Sequence, residues 1–280
     1  MKKGTLSTIF LILVFLVGLS LLLYPTVSNW WNSLHQSKAI AQYTENIANL
    51  DDDTYEKLWA DAKSYNEALA QKADRYAITE EEHSAYESLL NVSDNGIIGY
   101  IEIPVIDCSL PIYHGTDESV LQIAVGHVEG SSLPVGGKGT HCVLSGHRGL
   151  PSAKLFTNLD KLTEGDDFVL RILDETLTYE VDQILVVEPQ DTDALQIEQD
   201  KDYCTLVTCT PYGINSHRML VRGHRVENQK DAGAVRVTAD ALQIEPMIVA
   251  PLAAAPLLLL LLIAILVNVS RKMIVRRKAL

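Results

Sequence analysis

Hydrophobic and polar positions alternate in different ways along this chain. Uninterrupted apolar runs stand near both ends, from Thr5 to Tyr24 and from Met247 to Val269. Each matches the roughly 20 apolar residues with which a helix crosses a bilayer core. The first is longer than the apolar stretch of a secretory signal, and no small-x-small cleavage site follows before Tyr24-Pro25, so it reads as a retained anchor. The second contains six consecutive leucines, Leu257 to Leu262, and offers no polar face to water.

Between the runs the pattern changes twice. From 27 to about 90 it is helical: Tyr55, Leu58, Trp59, Ala62, Tyr65 and Leu69 recur at the spacing of one helix face, which packs on the domain body. Asp51, Asp52, Asp53 and Thr54 form an N-cap cluster before that face, and Glu80, Glu81 and Glu82 read as a solvated helix surface. From Gly96 the period shortens to two. Strand-like runs fall at 97–104, 109–115, 140–147, 168–173, 177–189, 203–209 and 216–226, with short helices expected near 117–126 and 151–160. At least seven strands in about 130 residues predict a mainly β domain, closed as a barrel or folded as a sandwich.

The expected organisation is a tail and first span at 1–24, an acidic helical region at 25–95, a β domain at 96–228, an acidic linker at 229–246, and a second span with a basic tail at 247–280. Charge supports the two-span reading. Overall there are 36 acidic and 23 basic residues, a net of −13. Seven of the basic residues, Lys2, Lys3, Arg271, Lys272, Arg276, Arg277 and Lys278, lie in the two ends, which hold no Asp or Glu. The middle keeps 16 basic against 36 acidic residues, a net of −20. Basic flanks stay in the cytoplasm, so both termini are expected inside and residues 25–246 outside, as a cell-membrane protein. So acidic a domain lacks the basic face of a nucleic-acid binder.

The chemistry concentrates in TLVTCTPYGINSHRMLVRG, residues 205–223. Thr205, Val207 and Cys209 share one strand face, the TPYGIN run supplies turn residues, and Arg218, Leu220 and Arg222 share a face of the next strand. If the two strands pair, the Cys209 thiol and the Arg218 guanidinium meet at the hairpin mouth. A cation there stabilises a thiolate, or the oxyanion formed when it attacks a carbonyl. A nucleophilic cysteine also needs an acid/base partner. Candidates are His127, His141, His147, His217 and His224. His147 closes a strand in a Gly/Pro-rich loop and can point into a cleft, whereas His217 alternates away from Arg218 and mid-strand His141 is expected to face elsewhere.

That segment, together with SGHRGLPSAKLFTNLDKL at 145–162, resembles the Gram-positive sortases, most closely their class C, pilin-polymerising branch. The resemblance covers about 96–226. It implies an eight-stranded barrel with a helical appendage and two flanking transmembrane helices. It implies Cys209 as nucleophile, His147 as general acid/base and Arg218 as the residue that orients substrate and stabilises the oxyanion. The implied reaction cleaves an LPXTG-type signal between Thr and Gly through a thioester and passes the acyl group to an amine, a pilin lysine in class C, with no metal or organic cofactor. The implied partners are LPXTG-bearing pilins or surface proteins, the acceptor amine and the membrane. Housekeeping attachment to cell-wall peptide and a non-catalytic assembly scaffold are the competing readings. A papain-type hydrolase would need local sequence around Cys209 that is absent.

Class C sortases usually carry an Asp-Pro-aromatic or Asp-x-aromatic lid before the barrel. The nearest element here is Asp74-Arg75-Tyr76, with Asp74 placed to pair Arg218 and Tyr76 to shield Cys209. Cys204 and Cys209, five residues apart, face opposite ways and are not expected to bond. A Cys108–Cys142 disulfide requires their strands to pair; buried free thiols are the preferred expectation.

Overall fold

A computed structural model describes residues 3–93 and 95–228. Three helices come first: α1 (Lys3–Ala48), α2 (Asp52–Ala70) and α3 (Glu80–Ser88). Tertiary contacts divide the chain near Trp30. From Phe10 to that point α1 is apolar and its side chains are not buried. Among the described residues only this helix is long and apolar enough to span a bilayer. The second expected span and the linker at 229–246 lie outside the described residues.

Pro25 does not end α1. Proline removes one intrahelical hydrogen bond, a small loss in a helix of 46 residues. The capping expectation holds at α2, where the Asp51 carboxylate accepts from the Thr54 backbone N–H at 2.9 Å. Glu82 is more than a solvated side chain. It forms a capping box with Thr79 at the start of α3 and an ion pair with Lys72 at 2.8 Å.

The rest is a barrel of eight strands: β1 (Ile97–Ile103), β2 (Cys108–His114), β3 (Val125–His127), β4 (Thr140–Ser145), β5 (Asp167–Ile172), β6 (Glu175–Val187), β7 (Asp202–Thr210) and β8 (His217–Val226). They close in the order β1-β2-β3-β4-β7-β8-β6-β5. The pairs β2–β3 and β4–β7 are parallel and the others antiparallel. Closure removes the sheet edges that would otherwise invite pairing with other chains. Of the two short helices expected, one is a single turn, α4 (Glu118–Leu121), followed at once by β3; at 151–160 only a 3₁₀ turn begins, at Leu159.

Alternation fills the barrel. Phe168, Leu170 and Ile172 point inward from β5 while their neighbours are half-buried, and Leu144, Leu206 and Val221 meet them from β4, β7 and β8. The helices are tied to this body by buried polar contacts. The Tyr43 hydroxyl donates to Ile98 O at 3.0 Å and accepts from Leu173 N at 2.9 Å. Asn66 of α2 exchanges two hydrogen bonds with the backbone of Leu133. These replace solvent for groups that would be costly to bury unpaired.

Candidate active site

β7 has two faces. Cys204, Leu206 and Thr208 turn into the barrel, and Val207 and Cys209 turn outward. Cys209 is half-buried and stands directly opposite Arg218 on β8 in the antiparallel register, as the hairpin pattern predicts. The Arg218 guanidinium is folded over its own turn, donating through Nη1 to the carbonyls of His217 at 3.1 Å and Asn215 at 3.3 Å.

On the other side of β7 runs β4, parallel to it, with Ser145 level with Val207. Two residues further along both chains come His147 and Cys209. Parallel neighbours at equal height project to the same side about 4.8 Å apart, so the chain leaves β4 for His147 at the end of the barrel where β7 carries Cys209. Two contacts carry the pairing with β7 as far as Gly146, and a third holds the His147 backbone to the loop beyond. Gly146 N donates to Val207 O at 3.0 Å, Thr208 Oγ1 donates to Gly146 O at 2.8 Å, and Phe156 N donates to His147 O at 3.1 Å. A side chain at 146 is excluded, because its Cβ would stand 2.6 Å from the buried Phe156 ring.

The other histidines are accounted for elsewhere. His127 is buried against the Tyr86 hydroxyl at 2.8 Å. His217 is next to Ser216 at 2.9 Å and His224 lies 3.7 Å from Asp182. His141, in the middle of β4, makes its contacts away from Cys209 and Arg218. It is sealed under the β6–β7 crossover, donating through Nδ1 to Gln196 O at 2.8 Å and accepting from Thr205 Oγ1 at Nε2 at 2.7 Å. Burial pushes its pKa down to about 4, so it is a neutral structural imidazole.

One rim residue escaped the sequence reading. Glu118, on α4, brings its carboxylate to 3.8 Å from His147 Nε2. Nothing in its local sequence marks it, because the approach depends on how the β2–β3 connection folds over the barrel rim. Below Cys209 the outer face is apolar: Val143, Leu195 and Leu220 are buried there, with Val128, Leu185, Val187 and Val207 against them. The strap between α2 and α3 reaches this strip through Arg75. That side chain is buried, donates to Leu195 O at 2.6 Å and covers the Tyr76 ring. The Asp74 carboxylate accepts from Tyr76 N at 3.3 Å, and the Tyr76 ring lies against Gly130, where a Cβ would come within 2.7 Å of it. The contact found for Asp74 is therefore local, that of the Tyr76 ring is with Gly130 beyond β3, and those found for Arg218 are carbonyls of its own turn. All four cysteines are free.

A closed eight-stranded barrel with a thiol, an imidazole and a guanidinium on one rim defines a narrow class of fold and site. The sortase domain family matches residues 101–226. Sortase C1 from Streptococcus agalactiae is 52% identical, with a TM-score of 0.67, over 69% of this chain and 100% of that one. Sortase C from Clostridium perfringens, solved with the C-terminal cell wall sorting motif, is 45% identical, with a TM-score of 0.59, over 69% of this chain and 100% of that one. Sortase D of Bacillus subtilis is 34% identical over 46% of this chain and 63% of its own length. The chain belongs to the sortase family of transpeptidases, and within it to class C.

Proposed function

We propose that this protein is a membrane-anchored cysteine transpeptidase that cleaves an LPXTG-type signal between Thr and Gly and joins the new acyl end to an amine, most directly a pilin lysine. The observation that supports the reading is the register that sets Cys209 opposite Arg218 on β8, with the parallel neighbour β4 leading into His147 at the same end of the barrel. The Clostridium perfringens relative, solved with its sorting motif, supports the substrate class.

In this reading the Cys209 thiolate attacks the Thr carbonyl carbon, and negative charge grows on the carbonyl oxygen. Arg218, turned from the carbonyls of its own turn, meets that charge with N–H donors. His147 gives its proton to the departing amine as the C–N bond breaks, leaving a thioester on Cys209. The acceptor amine then attacks the thioester, His147 takes the proton, and an amide forms as the thiolate leaves.

The apolar first half of α1, with exposed Tyr24 and Trp31 further along the same helix, fits an anchor with aromatic residues near the membrane surface. Enzyme and substrates held on one surface meet at raised effective concentration. In cells that display the pilin, Cys209→Ala is expected to abolish the covalent polymer ladder. A persisting ladder would leave only the scaffold reading. Supplying purified enzyme with an LPXTG peptide and either a pilin lysine or a cell-wall peptide amine ranks polymerisation against housekeeping attachment.

A further inference from the structure

The register that pairs β4 with β7 has a second consequence deeper in the barrel. It sets Cys142 of β4 directly opposite Cys204 of β7. Both thiols face the core, with side chains 2% and 0% exposed, and they are in hydrogen-bonding contact with each other. Opposed residues on neighbouring strands stand about 4.8 Å apart, inside the roughly 4.4–6.8 Å between Cα atoms that a disulfide spans. Neither other cysteine competes on these terms. Cys209 leaves the opposite face of β7, and Cys108 lies on β2, which is separated from β4 by β3.

We infer that Cys142 and Cys204 are a latent disulfide, a redox modification site that staples together the two strands bearing His147 and Cys209. The pair is inequivalent, as exchange chemistry requires. Burial opposes ionisation at both, but at Cys142 hydrogen bonds from Cys204 and His127 outweigh it and lower the pKa, whereas Cys204 is pushed up. The co-reactant is a small-molecule or protein disulfide. The Cys142 thiolate attacks one of its sulfurs and expels a thiolate. The Cys204 thiolate then attacks the Cys142 sulfur of the mixed disulfide and expels the second. The two protons lost by the cysteines are taken up by the two released thiolates, so one dithiol is oxidised and one disulfide reduced. Because the folded barrel seals both sulfurs, exchange belongs to the folding or partly opened chain. An oxidising surroundings for that step rests on the extracellular placement proposed above; the pairing itself does not.

The test uses the full chain in detergent, wild type and Cys209→Ala, opened in urea with oxidised glutathione and returned to buffer. Free thiols are then alkylated in denaturant, and peptides are mapped before and after reduction. The expected result is a crosslinked peptide pair holding Cys142 and Cys204, a mass about 2 Da lower than the dithiol form, and alkylation of Cys108. In the Cys142→Ala chain Cys204 becomes fully alkylated. The oxidised protein is expected to melt about 5–15 °C above the reduced one, a difference erased by dithiothreitol. Alkylation of Cys142 and Cys204 to the same extent as Cys108, a crosslink to Cys108 or Cys209, or a crosslinked form that melts no higher than the dithiol would each overturn the assignment. All of these readouts are independent of transpeptidase activity.

Discussion

Cys204 and Cys209 stand on one strand, five residues apart, and share little beyond their element. Cys204 points into the barrel, fully buried against Cys142, and its thiol pKa is driven up by burial. Cys209 points out at the rim, half-buried, opposite Arg218 on β8 and next to the strand that leads into His147. A thiol is a core filler or a nucleophile according to what surrounds it, and a single odd offset along β7 decides which.

The sharpest way to break this contrast is to remove each thiol in turn. Cys209→Ala is expected to lower transpeptidation by ~10³-fold or more with little change in thermal stability. Cys204→Ala should do the reverse, costing about 1–2 kcal/mol of folding stability while the rate per folded molecule holds. Denaturant melts and initial rates on the same preparations read both. Next in size is His147→Ala, expected to lose about 10²–10⁴-fold in rate; His141→Ala, sealed under the β6–β7 crossover, should act through stability instead. Arg218→Ala is expected to cost about 10²–10³-fold, and Arg218→Lys should recover part of it, because an ammonium keeps the charge and loses the fork of donors.

Acid provides a subtler probe of the buried side. His141 and His114 are held neutral, chiefly by burial, with pKa values near 4 in place of the ordinary 6.5. The unfolded chain binds protons at these sites first as pH falls. Stability should therefore be full above about pH 6.5, fall by a few kcal/mol towards pH 4 and level off below it. Urea midpoints across that range check the slope. The smallest effects belong to the surroundings of the site. Glu118→Gln is expected to slow turnover by up to about fivefold, as befits an exposed ion pair. Arg75→Ala, by freeing the strap from Leu195, should speed thiol labelling of Cys209 more than Asp74→Ala does.

Much of the barrel was legible in the sequence because its strands alternate strongly and are bounded by turn residues. β3 was not: Val125–His127 is too short to show a period and follows directly on the helical turn of α4. The hairpin placing Cys209 opposite Arg218 could be read from TPYGIN between two alternating runs. The pairing of β4 with β7 could not, since parallel neighbours 62 positions apart leave no local mark. The same blindness hid the Cys142–Cys204 pair and the approach of Glu118. Asp74 and Tyr76 fit a lid pattern by composition, yet the contact that reaches the apolar strip is made by the residue between them.

The most direct measurement is peptide-level mass spectrometry of the purified chain after incubation with an LPXTG peptide and no acceptor amine. The account predicts a thioester adduct carrying the LPXT acyl group on Cys209, discharged by hydroxylamine and greatly reduced in His147→Ala. An adduct on Cys108, Cys142 or Cys204, or none on any cysteine of a folded preparation, would contradict it.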